Sequence, residues 1–253
     1  MSKKKNLTIK EAFALAVQNH QKKNLQVAEN LYMEVLKINP DHADAHNNLG
    51  IVFEQLGQSQ KAMSYFQRAI EINPNYADAH YNLGKAFNEL NESQKAKGCY
   101  EKAIQIQPNH VDAYNNLGTV LKELNEPQKA KGCYEKAIQI QPNHVDAHNN
   151  LGTVLKELNE PQKAISCYEK AIQINPNYVN AYNNLGTILG ELDHINEAKK
   201  NFEKSLNLDP NKKKTCEGYG NILLKLNQHD KALAYIKKGT GFIKFTQKDF
   251  KII

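Results

Sequence analysis

The sequence predicts an all-α solenoid of stacked helix pairs, on three observations. Prolines stand at 40, 74, 108, 142, 176 and 210, each 34 residues from the last, and Leu-Gly pairs keep the same step at 49/50, 83/84, 117/118, 151/152 and 185/186. Within each step the apolar residues follow helical spacing. A fixed period of this length marks supersecondary units that cannot bury an apolar face alone and so stack on their neighbours. Residues 94–130 and 128–164 are nearly the same sequence twice, differing only at Tyr114 and His148, as a duplication would leave them.

Counting each unit so that its proline falls at place 32 gives seven units, starting at 9, 43, 77, 111, 145, 179 and 213. Places 4, 7, 8 and 11 hold His46, Leu49, Gly50 and Phe53 in the second unit and Tyr114, Leu117, Gly118 and Leu121 in the fourth, the i, i+3, i+4, i+7 spacing of a helix packed on one side. Place 15 carries Gly57, Asn91, Asn125, Asn159, Asp193 and Asn227, which tolerate the left-handed conformation that ends a helix. Pro127 and Pro161 follow two residues later, where the missing amide hydrogen costs nothing in a first turn. A second helix starts there, with Ala62, Phe66 and Ala69, or Ala130, Tyr134 and Ala137, at places 20, 24 and 27. Small residues at places 8 and 20 predict a close approach of the paired helices.

Thirty-four-residue units with aromatic or His, Leu, Gly, Ala, aromatic, Ala and Pro at these places resemble tetratricopeptide repeats. The resemblance covers residues 9 to about 244 and implies a right-handed superhelical α-solenoid of about seven helix-turn-helix repeats. The expected organisation is a basic flexible N-terminus at 1–8, a degenerate first repeat at 9–42, repeats at 43–76, 77–110, 111–144, 145–178 and 179–212, a degenerate seventh repeat at 213–241, and an apolar tail at 242–253. Ala12 and Ala16 depart from the pattern in the first unit, and Cys216, Tyr219, Ile236 and Gly239 fill the seventh, as befits capping units with no neighbour on one side.

Composition narrows the function classes. The formal net charge of +6 is concentrated at the two ends: residues 43–178 hold 13 Lys or Arg against 15 acids. A continuous phosphate-tracking groove is not expected, and nucleic acid is not an expected partner. Every window of about 18 residues is interrupted by polar side chains, so no membrane span is expected. The basic start lacks the apolar core of a secretory signal, and a cytoplasmic location is expected.

Function in such an array must come from side chains that stacking does not use. At about 100° per residue, places 2, 6, 9 and 13 of the first helix point nearly opposite places 4, 7, 8 and 11. They carry one polar stripe in five units, with Asn48, Asn82, Asn116, Asn150 and Asn184 at place 6. Asparagine is a mediocre helix former, so its recurrence at this place points to a role beyond the helix. Its amide offers donor and acceptor together, which suits the backbone of an extended peptide. The tetratricopeptide resemblance implies that this face lines a concave groove, and the ladder resembles the superhelical arm of O-linked N-acetylglucosamine transferases, without their catalytic domain. Asp112, Lys122, Glu123, Asp146, Lys156 and Glu157 would tune selectivity by charge. The carboxylate clamp of chaperone co-factors is matched only by Lys85.

The expected function is therefore a non-catalytic scaffold that binds an extended peptide or partner protein. Its rivals are a recognition arm for a glycosyltransferase-like or other modifying enzyme, fused in longer relatives or acting in trans, and a scaffold that self-associates through its terminal repeats. No catalytic residue, metal ligand or cofactor is expected. The pairs His42/His46 and His144/His148 have the spacing of helical metal ligands but read as packing residues, like His80 and His110. Cys99, Cys133 and Cys167 read as half-buried reduced thiols, Cys216 as a thiol exposed in a capping unit, and Gly239-Thr240-Gly241 lacks the context of a phosphate loop.

Overall fold

The computed structural model describes residues 8–241. They form fourteen α-helices, with no strand among the described residues, in two compact units that meet in sequence at Glu126 and Pro127. The first unit holds α1 (Ile9–Gln21), α2 (Leu25–Ile38), α3 (Ala43–Gln55), α4 (Ser59–Ile72), α5 (Ala77–Glu89), α6 (Ser93–Ile106) and α7 (Val111–Glu123). The second holds α8 (Pro127–Ile140), α9 (Val145–Glu157), α10 (Pro161–Ile174), α11 (Val179–Glu191), α12 (Ile195–Leu208), α13 (Lys213–Lys225) and α14 (His229–Thr240). Lys3 to Lys5 and the tail at 242–253 lie outside the described residues.

Local chemistry sets the boundaries. Every first helix ends at a residue with positive φ: Lys23, Asn91, Asn125, Asn159, Asp193 and Asn227 lie between 57° and 65°, and Gly57 at 72°. α8 and α10 begin on Pro127 and Pro161. Thr8 opens α1 with a capping box closed by Glu11. His42, His110 and His144 cap α3, α7 and α9, their Nδ1 atoms accepting the Ala45, Ala113 and Ala147 amides at 3.3, 3.3 and 3.1 Å. An acceptor Nδ1 carries no proton, so this cap requires the neutral ring.

Within the first unit α1, α3 and α5 pack on α2, α4 and α6, and within the second α9, α11 and α13 pack on α10, α12 and α14; α3, α5, α7, α9, α11 and α13 also pack on the second helix before them. The second-helix pattern forms the core: Ala62, Phe66 and Ala69 are fully buried, as are Ala164 and Ala171, with Tyr168 at 1% exposure. The glycine at place 8 lies under the aromatic of place 24 rather than against the alanine of place 20. A Cβ on Gly50 would stand 2.5 Å from Phe66 Cε1, and one on Gly152 2.6 Å from Tyr168 Cε1. Place 3 was absent from the expected core, yet Ala45, Ala79, Ala113, Ala147 and Ala181 are all 0% exposed. A single packing direction per helix misses them, because a first helix is covered on more than one side.

Two sequence readings are corrected. The place-4 imidazoles are more than flat fillers: His46, His80 and His148 place Nε2 at 2.8, 3.0 and 2.8 Å from the carbonyls of Pro40, Pro74 and Pro142. Cys216, expected to be exposed, is fully buried at the same place, and its thiol donates to Pro210 O at 3.8 Å. The thiol replaces the imidazole as donor to the closing turn. Cys99, Cys133 and Cys167 are half-buried free thiols.

Candidate functional site

The five place-6 asparagines lie along the first helices but not in open solvent. Asn82 is buried at 7% exposure and the other four are half-buried. The reading by angle treats each first helix alone; in the array the preceding first helix runs beside it, α3 beside α5, α5 beside α7, and α9 beside α11. Places 6 and 9 fall against this neighbour, while Asp44, Gln55, Asp78, Glu89, Asp112 and Glu123 at places 2 and 13 stay exposed.

Between these helices the asparagines form a ladder within the protein. Asn82 Nδ2 donates to Asn47 Oδ1 at 3.0 Å, and Asn184 Nδ2 to Asn149 Oδ1 at 2.9 Å. Asn116 Nδ2 donates to Tyr81 Oη at 3.3 Å, where tyrosine fills place 5. Place 5 then donates to place 6 of its own helix: Asn47 to Asn48, Asn115 to Asn116, Asn149 to Asn150 and Asn183 to Asn184, at 3.2–3.4 Å. The last rung changes partner. Thr215 Oγ1 on α13 donates to Asn183 Oδ1 at 3.0 Å, because place 6 of that repeat is Gly218.

A carboxamide carries two N–H groups and two acceptor positions. The rungs described use one of each on Asn184, so part of its capacity is left for another partner, whereas the Asn116 amide meets the hydroxyls of both Tyr81 and Tyr100. Thr119, Thr153 and Thr187 at place 9 are half-buried beside them, each donating back to the place-5 carbonyl at 2.8–3.3 Å.

The charged candidates are also engaged with neighbouring repeats. Glu123 accepts from Ser93 Oγ at 3.1 Å, and Asp146 accepts from Tyr178 Oη at 2.5 Å. Lys156 pairs with Glu191 at 2.6 Å, and Lys85 with Glu54 at 2.9 Å. Asp112 and Glu157 are exposed and Lys122 is half-buried. Asn48, Asn82, Asn116, Asp112, Lys122 and Glu123 thus share the face of the first unit, and Asn150, Asn184, Asp146, Lys156 and Glu157 that of the second.

Sequence reasoning missed two participants. Asn47, Asn149 and Asn183 at place 5 are buried at 3%, 6% and 8% and carry the ladder from one helix to the next. Their recurrence in the Asn-Asn pairs 47/48, 115/116, 149/150 and 183/184 was the available signal. In three repeats the residue just before the first helix reaches back to place 2: Tyr178 bonds Asp146, Tyr76 bonds Asp44, and His110 Nε2 lies 3.6 Å from Asp78 Oδ1.

Burial pushes the Tyr81 and Tyr178 hydroxyls up to about 12, so both remain neutral hydrogen-bonding groups on this face. Among the described residues no three His, Cys, Asp or Glu side chains gather as a metal site, and no helix is long and apolar enough to cross a membrane.

A search of curated protein sequences finds no significant match. Among solved structures, the fold is similar to that of MamA, 26% identical, covering 64% of this chain and 94% of that one with a TM-score of 0.58. PilF of Pseudomonas aeruginosa is similar at 24% identity, 76% and 88% coverage and a TM-score of 0.69. YrrB, described as a TPR protein with an unusual peptide-binding site, is similar at 21% identity, 73% and 95% coverage and a TM-score of 0.61. Tetratricopeptide repeat profiles match residues 43–76, 77–110, 111–144, 145–178, 167–200 and 214–242. With helix pairs, left-handed helix ends and glycine-on-ring packing repeated through both units, and most of its length matched, the chain belongs to the tetratricopeptide repeat family.

Proposed function

We propose that the chain is a non-catalytic interaction scaffold that binds an extended polypeptide along the face of its first helices. The observation that carries this reading is the ladder of carboxamides, spent on one side by the neighbouring repeat, with the half-buried Asn184 using one donor and one acceptor in the rungs described. Such groups read backbone rather than side chains, which suits a ligand without fixed structure. The family supports it, as does the peptide-binding site described for YrrB, a structural neighbour. Asn48, Asn82, Asn116, Asn150 and Asn184 make the backbone bonds in this reading, and Asp112, Lys122, Glu123, Asp146, Lys156 and Glu157 set charge preference.

The test is calorimetry with a peptide selected on the chain from a random display library. Replacing Asn116 and Asn150 by Ala weakens binding by about 1–3 kcal/mol together. Because Asn116 also bonds Tyr81, affinity is measured well below the melting temperature of the variant. Unchanged affinity refutes the ladder as the contact surface.

Self-association is a second reading, favoured by Leu15, Val27, Met33 and Ile38, which stand 38–58% exposed on α1 and α2. Sedimentation velocity tests it: mass that rises with concentration and stays monomeric in a Val27→Lys, Ile38→Lys variant supports it. Concentration-independent mass refutes it.

A further inference from the structure

The stripe along the first helices is not uniform. At place 9 the later repeats carry Lys85, Thr119, Thr153 and Thr187, whereas the first two carry Val17 and Ile51. Place 6 of α1 is Ala14, so the asparagine ladder begins only at Asn48. At this end of the first unit a cleft of about 620 Å³ opens between α1, α2 and α3, lined by His20, Gln21, Lys23, Leu25, Ile51 and Gln55. That volume lies within the range of ligand pockets, roughly 300–1,000 Å³. Its exposed lining is mostly apolar, with Ile51 and Leu25 half-buried in the wall. Burial lowers the His20 pKa, against a smaller opposing contribution from Gln55, so the imidazole presents a neutral wall at pH 7.

The surface beyond the cleft is acidic. Asp44 and Glu54 on α3, Asp78 and Glu89 on α5, and Asp112 and Glu123 on α7 share this face with two lysines, Lys85 and Lys122, and Lys85 is already paired with Glu54. A ligand that covers it must bring positive charge.

We infer that the cleft between α1, α2 and α3 is an anchor subsite for one aliphatic or aromatic side chain of an extended, basic polypeptide segment belonging to another protein. This rests on the proposed function and specifies its ligand. First helices packed side by side lie roughly 8–10 Å apart, and an extended chain advances about 3.3 Å per residue. The segment therefore places a lysine or arginine about three residues beyond its apolar anchor, and another about three residues further on.

The experiment is selection from a phage-displayed library of random twelve-residue peptides, run in parallel on the full chain and on Ile51→Thr. The substitution installs the residue that later repeats hold at this place, and circular dichroism checks that it melts like the parent. The expected result on the parent is enrichment of clones with one apolar residue followed by Lys or Arg at the stated spacing. On Ile51→Thr the basic preference persists and the apolar one is lost, and an enriched peptide binds about tenfold more weakly in fluorescence anisotropy, the effect of removing one buried aliphatic contact. Enriched clones without this pattern, or an apolar preference that survives Ile51→Thr, overturn the anchor and leave the peptide scaffold standing. Absence of any enrichment over an empty support overturns both.

Discussion

Gly50 and Gly98 both sit inside helices, and the same substitution at each has opposite consequences. Alanine gains about 1 kcal/mol over glycine in a helix interior. At Gly98 on α6 nothing lies within 4 Å of the added Cβ, so the gain is realised in full. At Gly50 the Cβ meets Phe66 Cε1 at 2.5 Å and Cδ1 at 2.7 Å. The ring is fully buried between Ala62 and Ala69, so it has little room to retreat. Overpacking of a filled core costs about 1–3 kcal/mol. The difference between the two variants isolates that cost, because the helix gain is common to both. For a chain of this size each kcal/mol moves the melting temperature by about 2–4 °C, so Gly98→Ala melts about 2–4 °C above the parent and Gly50→Ala about 2–12 °C below Gly98→Ala. Thermal melts followed at 222 nm decide it. Equal melting temperatures for the two variants refute the claim that place 8 is glycine because of the ring at place 24.

Removing Asn149 leaves the Asn184 donor without its 2.9 Å acceptor in a half-buried position; Asn149→Ala lowers stability in urea by about 1–3 kcal/mol, and an unchanged midpoint refutes the ladder as a stabilising element. His144→Ala loses the cap on α9 and about 1 kcal/mol in the same assay, whereas His144→Asn keeps it; equal losses refute the capping role. Burial pushes the Cys99 and Cys167 thiols up to about 11 and the Tyr81 and Tyr168 hydroxyls up to about 12. The unfolded chain then releases these protons first, so the stability they contribute is complete below about pH 9 and is lost as pH rises toward 11 and 12, each group steepening the fall by about 1.4 kcal/mol per pH unit. Urea midpoints measured from pH 8 to 11 check the sign, and a flat profile refutes it.

The repeat, its helix ends and its core aromatic were legible because each depends on chemistry within one unit. Asn125 can take positive φ and Pro127 can start a helix whatever lies beside them, and Tyr134 marks its own second helix. What one unit does not contain was harder to read. Asn48 and Asn82 were placed opposite the core by angle, but their surroundings are set by the adjacent first helix, which a single-helix projection omits. Asn47 and Asn149 were passed over for the same reason: place 5 looks peripheral on one helix and becomes central between two. The cleft beside Ile51 was invisible as well, since it is bounded by three helices and its signal is one aliphatic residue in a polar column.

Within each unit the rungs run from the place-6 amide of one repeat to the place-5 oxygen of the repeat before it, at Asn82, Asn116 and Asn184. A repeat therefore hands one proton donor backward and presents one acceptor forward, like a link made with a hook and an eye. Insertion of one whole period among the central repeats keeps hooks facing eyes, while a length change that is not a whole period misaligns them. The array can in this way lengthen by copying its own segments, and the near-identical stretches at 94–130 and 128–164 are what such an event leaves behind.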